Sequence, residues 1–548
     1  MDMDMKNIKT IATASLLLSF IGATAQTPYD AARFSGNELN GTARFVGMGG
    51  AMSALGADIS VIGSNPAGIG LFRGHDFTTS FGFNATKTAS DFGGNTMNEK
   101  RNRASFDQIG FVYTSKIGNR TKLRYVNFGF NYHKSKNFNR RFASGGMLDG
   151  ISQTGQMANM INAWIDGPST LDKQIGDIYN YGMEGTKLPN PYYPNHPNYP
   201  LYPYLGVMGV RSELVYVGTD EKGDYLDYMR GTANGYRSVE EGGISDYDFN
   251  VSFNVEDRMY FGATIGVHDV SYRRTSYYTE DVVDYIDNPK VGGYYEINNT
   301  FSTDGTGFDF KFGAIFRPFE ESPFRFGIAV HTPIWYALTD IYSSMMYTRL
   351  DGESSTGKPI HVDFKESPQY YTDGDVLRDY QMVTPWRFNV SIGTVVAGNI
   401  ALGAEYEFMN YASAKLKYSD GYDMEEQNSY AKDDLKGVHT VRVGAEARIL
   451  PSLSVRAGYN FSSSVFKESA YKALGASDMR TDTEYFNDFG RNTVTVGLGY
   501  RGNRFYADLA YKYDMYKSDF YAFSDTSLTA TKVDNKRHQL LMTLGVHF

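Results

Sequence analysis

Asn65-Pro66-Ala67-Gly68 ends a stretch, Gly41–Leu71, that is rich in Gly, Ala and Ser and nearly free of charge. Proline fixes φ and lacks an N–H, and asparagine closes turns through its side chain, so the tetrapeptide specifies a held kink. Gly47-Met48-Gly49-Gly50 is no phosphate loop, because the spacing is wrong and no Lys-Ser/Thr follows. Met157, Met160, Ile161, Trp164 and Ile165 fall at i, i+3, i+4, i+7 and i+8, an apolar helical stripe. Met and Trp make an adaptable greasy surface suited to a lipid-like ligand; the same stripe can equally pack on a small core of its own. Pro189, Pro191, Pro194, Pro197, Pro200 and Pro203 recur among tyrosines, which suits a polyproline II strut with a Tyr-rich face.

His133, His268 and His331 are too scattered for a paired metal motif, and ordinary hydrogen bonding accounts for such residues. Thr372-Asp373-Gly374-Asp375 lacks the spacing of a calcium loop. No Ser/His/acid grouping presents a nucleophile with its base, so neither an enzyme nor a cofactor or metal centre is expected. The chain has no Cys, which removes disulfide and thiolate chemistry. A net charge of −9 without a long basic run excludes a nucleic-acid surface.

The elements that would position these residues are strands. Val494, Val496, Leu498 and Tyr500 alternate with Thr493, Thr495, Gly497 and Gly499. The same period recurs through Val441–Ile449, Leu402–Phe408 and Phe308–Ala314, one face apolar and the other charged, polar or Gly. Fourteen such segments centre near 76–85, 105–117, 122–133, 244–256, 258–273, 305–317, 323–337, 380–396, 399–418, 437–449, 452–466, 490–501, 504–523 and 533–548. Short turns at 118–121, 256–257, 317–322, 398–399, 451–452 and 502–503 alternate with long connections, the longest being 134–243. No run of 18 apolar residues exists beyond position 25 and mean hydropathy is −0.41, which excludes a helical membrane protein but not a barrel. The expected fold is therefore all-β: a 14-stranded antiparallel transmembrane barrel of a Gram-negative-type outer membrane, with short periplasmic turns and long extracellular loops. Lumen-phase Arg387, Glu405, Glu407, Arg442, Glu446, Arg448, Arg456, Asp508, Lys512 and Asp514 mix both signs, favouring paired charges over an ion-selective pore. Residues 1–25 read as a signal peptide, with Lys6 and Lys9 before apolar Ile11–Ile21 and a small-residue site at Ala23-Thr24-Ala25. Residues 26–74 precede the first strand as a plug, and 75–548 form the barrel, with 134–243 as a partly helical loop.

Gly41–Ala51, Gly56-Ala57-Asp58 and Asn65–Gly68 resemble the N-terminal hatch of the FadL-type family of outer-membrane transporters, sharply over residues 35–72. The terminal Phe548 also resembles the ending that the barrel-assembly machinery reads. The resemblance implies passive uptake of a hydrophobic small molecule, such as a long-chain fatty acid, by a monomer surrounded by outer-membrane lipid. It places first capture in a loop groove near Met157–Ile165, a shift of the hatch around Asn65–Gly68, and a sideways exit through the wall. Two alternatives come with it. One is haem or haemin uptake, with His133, His268 or His331 on the iron; the other is a partner-binding accessory barrel. The Asn-Pro-Ala-Gly turn either gates the path or only seats the plug.

Overall fold

The last strand of the chain pairs with the first: β1 (Asp76–Phe92) bonds to β22 (Thr531–His547) from Asp76↔His547 to Asp91↔Lys532. The sheet thereby closes on itself. The structure, a computed structural model, describes residues 26–118, 120–165, 167–183, 187–192, 202–285, 290–354, 357–372, 374–475 and 478–548; the expected signal peptide lies outside them.

The lumen segment contributes α1 (Pro28–Ser35) and α2 (Ala43–Gly47) before β1. The wall continues with β2 (Asn95–Lys116), β3 (Leu123–Asn137) with β4 (Arg140–Gly150), β7 (Arg230–Val255), β8 (Met259–Val283) and β9 (Val291–Phe316). Next come β10 (Arg325–His331) with β11 (Trp335–Glu353), β13 (Val376–Val383) with β14 (Arg387–Val396), and β15 (Ile400–Asn410) with β16 (Lys415–Tyr418). It finishes with β17 (Gly437–Leu450), β18 (Leu453–Ser462), β19 (Tyr485–Asp488) with β20 (Arg491–Arg501), β21 (Phe505–Tyr521) and β22. Taking each joined pair as one passage, the barrel has 14 antiparallel strands, as expected. All six short turns fall at one end, here called the turn end.

The strands are longer than their sequence pattern suggested, and β8 shows why. Near the turn end Phe261, Ile265 and Val267 point outward, and Thr264 and His268 point into the lumen. Beyond Val267 the outward positions become Asp269, Ser271, Arg273 and Thr275, while Val270, Tyr272, Tyr278 and Val282 face inward. The pleat continues in phase but its apolar face swaps sides, so the alternating signal breaks while the strand does not. Below the swap the outer belt is apolar and suits lipid; above it the outer face is polar around an apolar interior. A row of rings marks the rim: Phe81–Phe106 at 5.4 Å, Phe106–Tyr132 at 5.6 Å and Tyr132–Tyr247 at 5.2 Å. The first connection, expected to be long, is accordingly only Gly93-Gly94, whose φ values of 58° and 90° are those of a tight hairpin. Likewise the loop expected over 134–243 begins only after Gly150 and ends at Arg230.

That loop folds as a cap. It contains α3 (Gln153–Asn162), α4 (Pro168–Tyr179), α5 (Tyr204–Arg211) and the hairpin β5 (Val215–Asp220)–β6 (Gly223–Tyr228), all joined to the strand tops in one apolar cluster. Of the prolines read as a strut, Pro194, Pro197 and Pro200 lie outside the described residues; Pro191 sits in a turn and Pro203 precedes α5. Farther along, β12 (Pro359–Glu366) brings Glu366 under the cap, 3.0 Å from Arg211 Nε, with 5% and 0% of the two side chains exposed. Tyr192 donates to the other Glu366 oxygen at 2.8 Å. Removing one partner of a buried ion pair strands the other, at about 3 kcal/mol or more. Glu366→Ala is therefore expected to make the 151–229 segment cleavable by protease at temperatures where the wild type resists, with the barrel itself still folded by gel shift.

Candidate functional site

The lumen is filled by residues 26–74, running from the loop end to the turn end. α1 lies under the cap, where Arg480 Nη1 reaches Asp30 Oδ2 at 2.6 Å. Thr42 caps α2 by accepting from Phe45 N, and donates to Asp58, which in turn caps the 3-10 turn Ile59–Gly63. Gly49, Gly50 and Gly56 take φ values of 64°, 82° and 63°, so the chain there reverses in a conformation that glycine alone adopts freely. Asn65 caps the 3-10 turn Pro66–Leu71 through its Oδ1, and its Nδ2 donates to the wall carbonyls of Ala314 at 3.3 Å and Ile328 at 3.2 Å. Ser252 of β7 donates to the Pro66 carbonyl at 2.8 Å. Asn65, Pro66, Ala67 and Gly68 are thus brought together, buried, against the inner wall.

What allows this approach is a girdle of wall glycines that the sequence reading did not single out. A methyl group on Gly403, Gly444 or Gly458 would overlap the backbone of Ala51, Met48 or Gly49. One on Gly262 would overlap Pro66, and one on Gly313 would overlap the Asn65 side chain. The signal was present as glycine in the inward phase of neighbouring strands, notably Gly313, Gly403 and Gly444. Between these contacts, ions tie plug to wall: Arg44 to Glu446 at 2.9 Å, and Glu38 to Arg491 at 3.1 Å and Arg537 at 2.6 Å. Wall charges also pair among themselves, Arg442 with Glu405 and Glu407 and Arg456 with Glu446 and Asp508. Arg448, expected in the lumen, is exposed near the turn end.

Beside the upper part of the plug, against Tyr29, Arg33 and Glu38, lies a cavity of about 300 Å³. Eleven Arg and Lys line it against six Asp and Glu, together with nine aromatic rings. A smaller cavity bounded by Asn40, Asp107 and Lys134 adjoins it, sharing Glu38, Lys136, Asn137, Lys512 and Arg537. Beyond that cavity the wall is unzipped. β2 pairs with β1 along its whole upper length, but with β3 only from Gln108↔His133 downward. The third strand stays with β7, slips register between Lys134 and Lys136, breaks at Phe138–Asn139 and turns inward as β4. There Thr88 and Ser90 donate to the Arg141 and Ala143 carbonyls, each at 2.7 Å. The open seam is lined by Lys100, Arg101, Asn102, Arg103, Arg141 and Glu241, just above the Phe106–Tyr132 ring contact.

The apolar stripe of the sequence reading is placed otherwise than expected. Met157, Met160 and Ile161 are buried in the cap, where Gly206 and Gly209 admit Ile161 and Met157. Trp164 and Ile165 lie past the end of α3 and are half-buried. The first three therefore present no open groove, because the cap has no other core to fold on. The histidines form part of a charge network: His268 holds Asp246 at 2.8 Å and Asp309 at 3.0 Å, and His331 Nε2 lies 3.1 Å from the hatch carbonyl of Ser64. His133 sits 3.6 Å from the same Asp246. With both His268 nitrogens committed, this arrangement lends the haem alternative no support.

Two tests follow from the way the plug is seated. Gly262→Ala should unseat the Pro66 turn and raise single-channel conductance in planar bilayers, whereas Gly129→Ala, whose methyl meets its nearest atoms at an ordinary 3.5 Å, should not. The second test uses acid. Burial would raise the Asp30 carboxyl, but Arg480 and Arg33 hold it at about 2; burial of Glu38 is likewise outweighed by Arg537 and Arg491, which hold it well below the usual range. Depressed carboxylates stabilise the seated plug above their unfolded values near 4, and that stability is lost as pH falls toward the folded values. Conductance should stay low at pH 7 and rise between about pH 4 and 2.

No protein-family profile matches the chain, and neither does any curated protein. Among solved structures, that of a Pseudomonas aeruginosa FadL homologue aligns over 94% of this chain and 100% of its own, at TM-score 0.49 and 12% identity. The Pseudomonas putida toluene transporter TodX aligns over 94% and 100% at TM-score 0.44 and 10% identity. The Ralstonia pickettii toluene transporter TbuX aligns over 93% and 98% at TM-score 0.41 and 13% identity. The chain is thus similar along nearly its whole length to solved FadL-type barrels, the family whose hatch residues 41–68 resemble.

Proposed function

We propose that this barrel passively carries hydrophobic small molecules across an outer membrane, and that they leave the lumen sideways through the seam between β2 and β3. The observation that carries this reading is the missing ladder above Gln108↔His133, where β2 runs on to Asn95 with β1 as its partner on one side only. A strand that gives up its partner exposes backbone groups at a cost, and here the side chains of Thr88, Ser90 and Asn95 recover the β4 carbonyls of Arg141, Ala143 and Gly145. The cap and the plug stand across the straight route, which suits a ligand that gains from avoiding bulk water; each buried CH₂ contributes roughly 0.8 kcal/mol. In this reading the turn end faces the periplasm, the cap faces outside, and the seam opens at the upper rim of the lipid belt. The Asn65–Gly68 turn acts as the latch of the plug, and a long-chain fatty acid-like ligand is one candidate cargo. Trp164 and Ile165 at the cap edge, with Met157, Met160 and Ile161 behind them, are where capture would begin once the cap loosens.

The chain lacks cysteine, so a cross-link can be introduced cleanly. Arg103 Nη1 reaches Asn139 Oδ1 across the seam at 2.7 Å. Bridging Arg103→Cys to Asn139→Cys with a short bifunctional thiol reagent should abolish naphthalene uptake by intact cells, and cleaving a reducible linker should restore it. Uptake that is the same before and after bridging would sink the lateral route.

A further inference from the structure

The cavity beside the plug is built for more than an apolar guest. Nearly every cation around it is matched by a carboxylate: Arg140 by Glu240, Arg274 and Lys472 by Asp482, Arg480 by Asp30 and Asp482, Arg491 and Arg537 by Glu38. Among the described residues two are not. The Arg387 side chain makes no ion pair and no hydrogen bond although its residue is only 9% exposed, and the Lys136 ammonium donates only to the Arg33 carbonyl. Tyr411, 7% exposed, also has a hydroxyl with no hydrogen-bond partner among the described residues, and Arg387 is among the charges that act on it. Tyr411 and Lys136 meet at Gly36, which lacks the side chain that would otherwise fill the space between them; Lys136 Nζ is 3.8 Å from where that carbon would sit.

A guanidinium kept out of water without a counter-charge is costly unless something supplies one. Here Glu407 feels the charge of Arg387 but is held by Arg442 at 3.2 Å, so no carboxylate is in ion-pair contact with Arg387, and the cavity remains. The rest of the lining describes the body of the missing group. Tyr29, Phe138, Tyr272, Phe466, Tyr485 and Phe486 are among the rings around it, and the volume of about 300 Å³ is at the small end for a ligand site. Rings offer faces and edges to a planar aromatic guest, and a guanidinium fork fits a carboxylate in two parallel hydrogen bonds.

We propose that this cavity binds a compact aromatic carboxylate, with the acid group on Arg387, Tyr411 and Lys136 and the ring among the aromatic side chains. The proposal rests on the transport reading above, whose cargo it narrows to an aromatic acid as against a neutral arene or a long alkyl chain.

Calorimetry on the detergent-purified full chain can test it with naphthalene-2-carboxylate, the isosteric naphthalene-2-carboxamide and palmitate. The carboxylate should bind saturably and at least about tenfold tighter than the carboxamide, the margin expected when a charge-assisted pair is lost. Arg387→Gln should erase that preference while leaving the weak carboxamide affinity in place, and Arg387→Lys should restore part of it. Heat-modifiable migration of each variant shows that the barrel is folded. Equal binding of acid and amide by the wild type, an unchanged preference in Arg387→Gln, or tighter binding of palmitate than of the naphthoate would each overturn the assignment. Naphthalene uptake that the seam cross-link blocks, with no naphthoate binding, would overturn this site and leave transport standing. Naphthoate binding with uptake indifferent to the cross-link would leave the site and remove the lateral route.

Discussion

Close approach of two backbones, the plug's and the wall's, is the contact on which the remaining architecture depends. A barrel of 14 strands encloses more space than its own side chains fill, and a second polypeptide layer must occupy it without stranding polar groups. Inward glycines on β8, β9, β15, β17 and β18 let that layer lie directly on the strands. The plug then finds its hydrogen bonds on wall carbonyls, as Asn65 does on Ala314 and Ile328. Because the fit is by backbone and small side chains, its specificity comes from shape, and the ion pairs of Arg44 and Glu38 fix the register.

A second constraint follows from length. The strands run well past the lipid belt, and above Val267 the apolar face turns from outside to inside. One sheet thus carries two apolar faces: an outer one suited to lipid on its lower half, and an inner one on a protein core in its upper half. The cap is the content of that upper core, which is why Met157 and Ile161 are interior residues and why Glu366 and Arg211 can be buried together beneath it.

The seam and the cavity depend on both constraints. Where β3 leaves β2, the wall gives up ladder bonds at the level where the outer surface changes from apolar to polar. Side chains of Thr88, Ser90 and Asn95 satisfy carbonyls of the inward-turned β4. The space left between plug, wall and β4 is charged, and its cations are in ion-pair contact with carboxylates except for Arg387 and Lys136.

By itself the sequence determined the number of strands, the closure of the sheet and the place of the plug. Alternation at Val494–Tyr500 or Leu402–Phe408 needs only neighbours two residues apart, and turns such as Gly398-Asn399 need only local backbone freedom. Asn65-Pro66 was legible for the same reason, since its kink is a local property. The strand tops were not legible, because the reversal at Asp269 reflects what surrounds the barrel at that height. The helical spacing of Met157–Ile165 identified an apolar face, but only α5 with Gly206 and Gly209 decided what covers it. The seam, the glycine girdle and the isolation of Arg387 belong wholly to tertiary structure. Each is a relation between residues tens to hundreds of positions apart, and whether a glycine is crowded or an arginine unpaired is set by what folding brings beside it.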